Sequence, residues 1–139
     1  MKAIIRWAAV CCLAGFTSVA TAERLEVFRW QANSSSPEAL VQGMMTGAKI
    51  HEKYGATVGI FRMDIGSSGY PTFDYVLRWD SGEDWAKTKE TNFNEEWQAF
   101  WAQASQSPSG TLLWSMEALN WDESVKAADF AQDGPYRVY

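Results

Sequence analysis

The sequence has 139 residues, 47% of them apolar and 14% aromatic, with a formal charge of −5. That length holds one domain rather than two. The apolar share excludes a disordered chain, and 17 acidic against 12 basic residues argue against a nucleic-acid binder.

Residues 1–22 read as an export signal. Lys2 and Arg6 form a basic start, an apolar stretch runs from Trp7 to Phe16, and Ala20 and Ala22 supply the small residues before a cleavage site. The cut is expected between Ala22 and Glu23. The apolar run is too short to span a bilayer, and no later stretch reaches the required length of about 18 residues. The protein is therefore expected in a periplasm or outside the cell, with no membrane contact once the signal is removed. Cleavage leaves 117 residues of net charge −7, with seven tryptophans and no cysteine. Disulfides and thiolate sites are then excluded, and stability must come from the apolar core or a partner subunit.

The domain is expected over residues 23–121, followed by a tail at 122–139. Arg24–Ala32 alternates and is rich in strand formers, so it reads as the first strand. Asn33 to Ser36 can form a capping turn, and Pro37 suits the first position of a helix running to Tyr54. Leu40, Val41, Met44, Met45 and Ala48 recur there at helical spacing, and Gly55 suits the C-terminal cap. Gly43 and Gly47 are costly in a helix and point to close packing. Ala56–Asp64 and Thr72–Trp79 read as a hairpin joined by a Gly- and Ser-rich turn. Ser81 then caps a second helix that runs to about Ser105, with a break near Thr91–Asn92. Thr111–Trp121 reads as the fourth strand. The tail suggests a helical turn within Glu123–Phe130 and an extended end at Tyr136–Tyr139.

The order β-α-β-β-α-β defines an α+β, ferredoxin-like fold: an antiparallel sheet with both helices on one face. Alternation places Phe28, Trp30, Phe61, Met63, Phe73, Tyr75, Leu77, Trp79, Leu112, Trp114 and Met116 beneath the helices. It places Leu25, Val27, Arg29, Val58, Ile60, Arg62, Asp74, Val76, Arg78, Leu113, Glu117 and Leu119 on the other face. That second face is too apolar for water alone, and a second copy of the chain is the simplest cover.

Two stretches, Lys53-Tyr54-Gly55-Ala56-Thr57-Val58-Gly59 and Tyr75–Trp85, together with the element order, resemble the dimeric α/β-barrel superfamily. That group includes antibiotic-biosynthesis monooxygenases, NIPSNAP-like proteins and haem-degrading enzymes. The resemblance implies a homodimer with a pocket between each sheet and its helices. It leaves the chemistry open, because one fold hosts many activities.

Several groups could carry chemistry. His51 is the sole histidine and lies on or beside the core-facing stripe of the first helix. It is a weak candidate for a proton shuttle or a haem ligand, against a plain helix-end role. Trp30, Phe61, Tyr75, Trp79, Trp97, Trp101 and Trp114 form either core or the lining of a pocket for a flat apolar ligand. Arg29, Arg62 and Arg78 could bind an anion, or could pair with Asp64, Asp74 and Glu117 at an interface. No metal motif, phosphate loop or nucleophile elbow is present. The sequence thus predicts an exported homodimeric domain that binds a small apolar or aromatic molecule without a cofactor. The alternatives are a cofactor-independent monooxygenase or haem-handling enzyme of the same fold, and a structural interaction module.

Overall fold

The computed structural model describes residues 23–34, 36–64, 69–120, 122, 124 and 126–130. In chain order they form β1 (Arg24–Ala32), α1 (Glu38–Lys53), β2 (Thr57–Met63), β3 (Thr72–Trp79), α2 (Gly82–Glu90), α3 (Glu95–Gln106) and β4 (Gly110–Leu119). Short 3-10 turns occupy Thr91–Phe93 and Ala127–Phe130. The export segment, the tip of the β2–β3 hairpin at residues 65–68 and the extended end at 136–139 lie outside the described residues.

The helix boundaries follow local chemistry. Gly55 takes φ +96° just beyond α1, a conformation open to glycine at little cost. Pro37 sits one residue before α1 rather than inside it, and no side chain caps that end. The Ser81 hydroxyl accepts from the Asp84 N–H at 3.1 Å and starts α2. The expected break becomes a full interruption. The chain leaves the helix after Thr91–Phe93, and Asn94 caps α3 by accepting from the Trp97 N–H at 3.0 Å. Glu96 ties α3 to the end of α1 by accepting from Lys53 at 2.7 Å and Tyr54 at 3.0 Å.

The sheet has strand order β2-β3-β1-β4 with antiparallel neighbours, the ferredoxin-like arrangement expected from the element order. The core lies on its helix side, where Phe73, Tyr75, Leu77 and Trp79 alternate along β3 under Leu40, Met44 and Ala48 of α1. Burial of each large apolar side chain there contributes about 1.5–3 kcal/mol. Trp79 has its polar end satisfied, since Nε1 donates to Thr88 Oγ1 at 2.8 Å. The Thr88 hydroxyl in turn donates to the Tyr54 carbonyl at 2.6 Å, joining α2 to the end of α1.

Two strands present their side chains in the opposite phase to the one expected. In β2, Val58 pairs with Leu77 and Ile60 with Tyr75, so Val58, Ile60 and Arg62 lie on the helix side. Phe61 pairs with Asp74 and Met63 with Thr72, which puts Phe61 and Met63 on the open face. Both phases of β2 are apolar, so its alternation cannot choose between them; the hairpin register does. In β4 the cause is a bulge. Trp30 faces Leu112 but Arg29 faces Trp114, so Leu113 is an extra residue. Beyond it the phase inverts. Trp114 and Met116 turn to the open face, while Glu117 and Leu119 turn to the helix side.

The open face thus carries Leu25, Val27, Val76, Phe61, Met63, Trp114 and Met116. The Arg29 side chain there donates two hydrogen bonds to Asp74, each 2.6 Å, and lies over the Trp114 ring at 4.6 Å. The hydrogen bonds and negative charge of Asp74 push the Arg29 pKa above its ordinary value, against a smaller opposing effect of burial. Arg78 pairs with the buried Glu23, whose carboxylate also accepts from Asn120 at 2.6 Å. Arg62 pairs with Asp64 at 3.2 Å at the exposed sheet edge. Glu117 binds Arg24 at 2.5 Å on the helix side, away from that cluster.

Candidate functional site

A cleft of about 600 Å3 opens between α1, α3 and the helix side of the sheet. Its floor is Phe28 and Trp30 of β1, Tyr75 and Leu77 of β3, and Leu112 of β4. One wall is α1, from Leu40 to His51; the other is Trp97, Phe100, Trp101 and Ala104 of α3. The two helical glycines shape it differently. A Cβ on Gly47 would lie 3.5 Å from Phe100 and 3.7 Å from the Tyr75 oxygen, so the elements do meet closely there. A Cβ on Gly43 would meet nothing within 4 Å. Close packing, expected at both positions, holds only at Gly47; at Gly43 the missing side chain leaves cleft volume.

His51 projects from α1 onto this wall. Its Nδ1 lies 2.8 Å from the Tyr75 hydroxyl, and its ring centroid is 4.4 Å from that of Trp97. Burial lowers its pKa from 6.5 to about 4, helped by the positive charge of Lys89 and opposed by the Gly47 carbonyl. The imidazole is therefore neutral at physiological pH. Burial, with the nearby Glu52 charge adding to it, pushes the Tyr75 phenol above its ordinary value and keeps it protonated. The pair can hold one proton between two neutral groups, which suits hydrogen bonding to a ligand or proton transfer at a neutral site.

At one side of the cleft, Glu26 is 6% exposed. It is balanced by Lys89 at 2.6 Å and by the Trp85 N–H at 2.8 Å. Among the described residues no three His, Cys, Asp or Glu side chains come together as a metal site.

Of the seven aromatic residues proposed from sequence, Trp30, Tyr75, Trp97 and Trp101 line the cleft. Trp79, 1% exposed, is core rather than lining, and Phe61 and Trp114 are on the open face. The sequence reading missed Phe100, Gly43, Glu26 and Lys89 as cleft residues. Strict alternation along β1 would have put Glu26 on the side of Phe28 and Trp30. Lys89 carries no such signal, because its role depends on where α2 lies.

These elements define an α+β ferredoxin-like domain with a cleft between helices and sheet. No family model matches the chain, and no curated protein matches it in sequence. Solved structures do share its fold, and NIPSNAP-like proteins are among them. A NIPSNAP-like domain protein from Burkholderia xenovorans aligns with a TM-score of 0.54 at 18% identity, over 71% of this chain and 84% of its own. A NIPSNAP family protein from Agrobacterium tumefaciens aligns with a TM-score of 0.53 at 16% identity, over 75% and 96%. A Bacteroides thetaiotaomicron protein of unknown function, described as a possible oxidoreductase, aligns with 0.52 at 10% identity, over 73% and 100%. The resemblance read from the sequence thus holds at the level of the fold.

Proposed function

We propose that the protein is an exported homodimeric domain that binds a small apolar or aromatic molecule in the cleft between α1, α3 and the sheet. The observation that carries this reading is the cleft itself. About 600 Å3 walled mainly by Phe28, Trp30, Met44, Trp97, Phe100 and Trp101 is space that a purely structural core would fill. The dimer reading is supported by the open face, where Trp114 and Met116 are 39% and 48% exposed. Export is supported by the composition of residues 1–22.

Native mass spectrometry of the protein purified from its own compartment tests these points together. The expected spectrum shows twice the mature mass, with the signal removed and a small organic adduct retained. A bare monomer that also fails to bind any hydrophobic fluorophore overturns the reading.

One observation favours a second reading. A neutral histidine beside a cleft is a base available to a bound substrate, so the domain could be an enzyme of the cofactor-independent oxygenase type. Oxygen uptake that requires His51, with a ligand identified by the first experiment, separates catalysis from binding.

A further inference from the structure

The cleft has two unlike ends. Glu26 and Trp30 both line it from β1, and their spacing along the strand is roughly 13 Å at about 3.3 Å per residue. Beside Trp30 lie Leu112, its partner on β4, and Leu40, which a Cβ on Gly110 would meet at 2.7 Å. Ser105 and Ser109 also line this end. Ser105 is exposed and its hydroxyl donates to the Ala102 carbonyl at 3.0 Å, while the Ser109 carbonyl accepts from the Asn33 N–H at 2.9 Å. Pro108 between them is exposed, so this end opens to water.

The end near Glu26 is polar and more enclosed. Lys89 holds Glu26 at 2.6 Å and its charge reaches His51. Asn92 follows three residues after Lys89 and also lines the cleft. Its amide has no hydrogen-bond partner among the described residues and is not closed off from water, unlike Trp97 Nε1. The neutral His51–Tyr75 pair carries two N–H or O–H hydrogens, of which their mutual bond uses one. Amide and pair therefore offer hydrogen bonding beyond what the fold uses. Charge is different: Glu26 and Lys89 cancel, and His51 is neutral. An ionised ligand group would lose its hydration there without an unpaired counter-charge. A hydroxyl both donates and accepts, which matches what this end has to spare.

We propose that the cleft takes an elongated, uncharged amphiphile with a single hydroxyl head. The head lies at Asn92 and the His51–Tyr75 pair, and the apolar body points towards Trp30 and Leu112. This rests on the ligand-binding reading above and adds the head group and the direction of the ligand.

The probes are 4-biphenylmethanol, 4-methylbiphenyl and biphenyl-4-carboxylate, which share one body and differ in the head. Binding to the intact mature protein is followed by tryptophan fluorescence. Asn92→Leu and His51→Phe are each expected to weaken the alcohol about tenfold and leave 4-methylbiphenyl within about twofold. Ser109→Ala should leave both within about twofold, and the carboxylate should bind at least tenfold more weakly than the alcohol. Where His51→Phe fails to fold, Asn92→Leu carries the test. Alcohol binding that is unchanged in Asn92→Leu, or that falls in Ser109→Ala instead, overturns the head position. A carboxylate that binds as tightly as the alcohol overturns the uncharged head. Binding of none of the three overturns both this proposal and the ligand-binding reading beneath it.

Discussion

The His51 imidazole and the Tyr75 phenol face each other at 2.8 Å across the gap between α1 and β3. Each is held neutral by burial, so protonating the imidazole puts a charge where Lys89 already repels one.

That arrangement makes stability depend on pH in a defined direction. The folded protein holds His51 at about 4, against 6.5 in the unfolded chain, so between those values the unfolded state binds the extra proton. The stability tied to neutral His51 is fully present above pH 6.5 and is lost as pH falls toward about 4. Urea unfolding across this window should lose on the order of 2 kcal/mol from this group, discounted for partial exposure. His51→Gln should flatten the profile; an unchanged slope would remove His51 from the account.

Thr88 is 1% exposed, and its one hydroxyl accepts from Trp79 and donates to the Tyr54 carbonyl at 2.6 Å, with the Asp84 carbonyl at 3.1 Å as a third partner. Thr88→Val keeps its volume but strands the Trp79 N–H and the Tyr54 carbonyl. A loss of about 2 kcal/mol in chemical denaturation is expected, and Thr88→Ser should recover most of it.

Gly43 gives a way to fill the cleft without disturbing the core. Gly43→Ala should stabilise the protein by about 1 kcal/mol through helix propensity, since the new Cβ meets nothing. Gly43→Phe should fold as well as wild type and weaken binding of a hydrophobic fluorophore at least tenfold. Equal binding by that variant would place the ligand elsewhere.

Met116 is 48% exposed on the open face. Met116→Glu adds a charge to the open face proposed as the dimer interface. Sedimentation should show a dimer for wild type and a monomer for the variant at micromolar concentration. A wild-type monomer removes the interface.

Much of this architecture was legible in the residues. The bounds of β1 and β3, the Ser81 cap and the interruption between α2 and α3 follow from alternation, capping chemistry and composition. The pairing of Arg29 with Asp74 follows from their placement on neighbouring strands. Less legible was which side each strand shows. Apolar residues in both phases of β2 leave the choice to the hairpin, and a bulge in β4 inverts its phase partway along. Those two events moved Phe61 and Trp114 out of the candidate site and brought Glu117 to Arg24. His51 was placed correctly on its helix stripe, but its partner was not foreseeable, because it lies 24 residues away on β3.

The extra residue at Leu113 has a consequence for how copies of this chain behave when crowded. β4 ends the sheet, so among the described residues one side of its ladder has no neighbouring strand. A straight strand of ten residues carrying Leu112, Leu113, Trp114 and Met116 would be a ready template for edge-to-edge growth. The bulge kinks that template and disrupts its repeat. Deleting Leu113 would leave Leu112 opposite Trp30 and Trp114 opposite Arg29, with both sides of the sheet as they are. It would also straighten the edge, and the expected result is a folded protein that forms fibrillar aggregates far more readily than its parent.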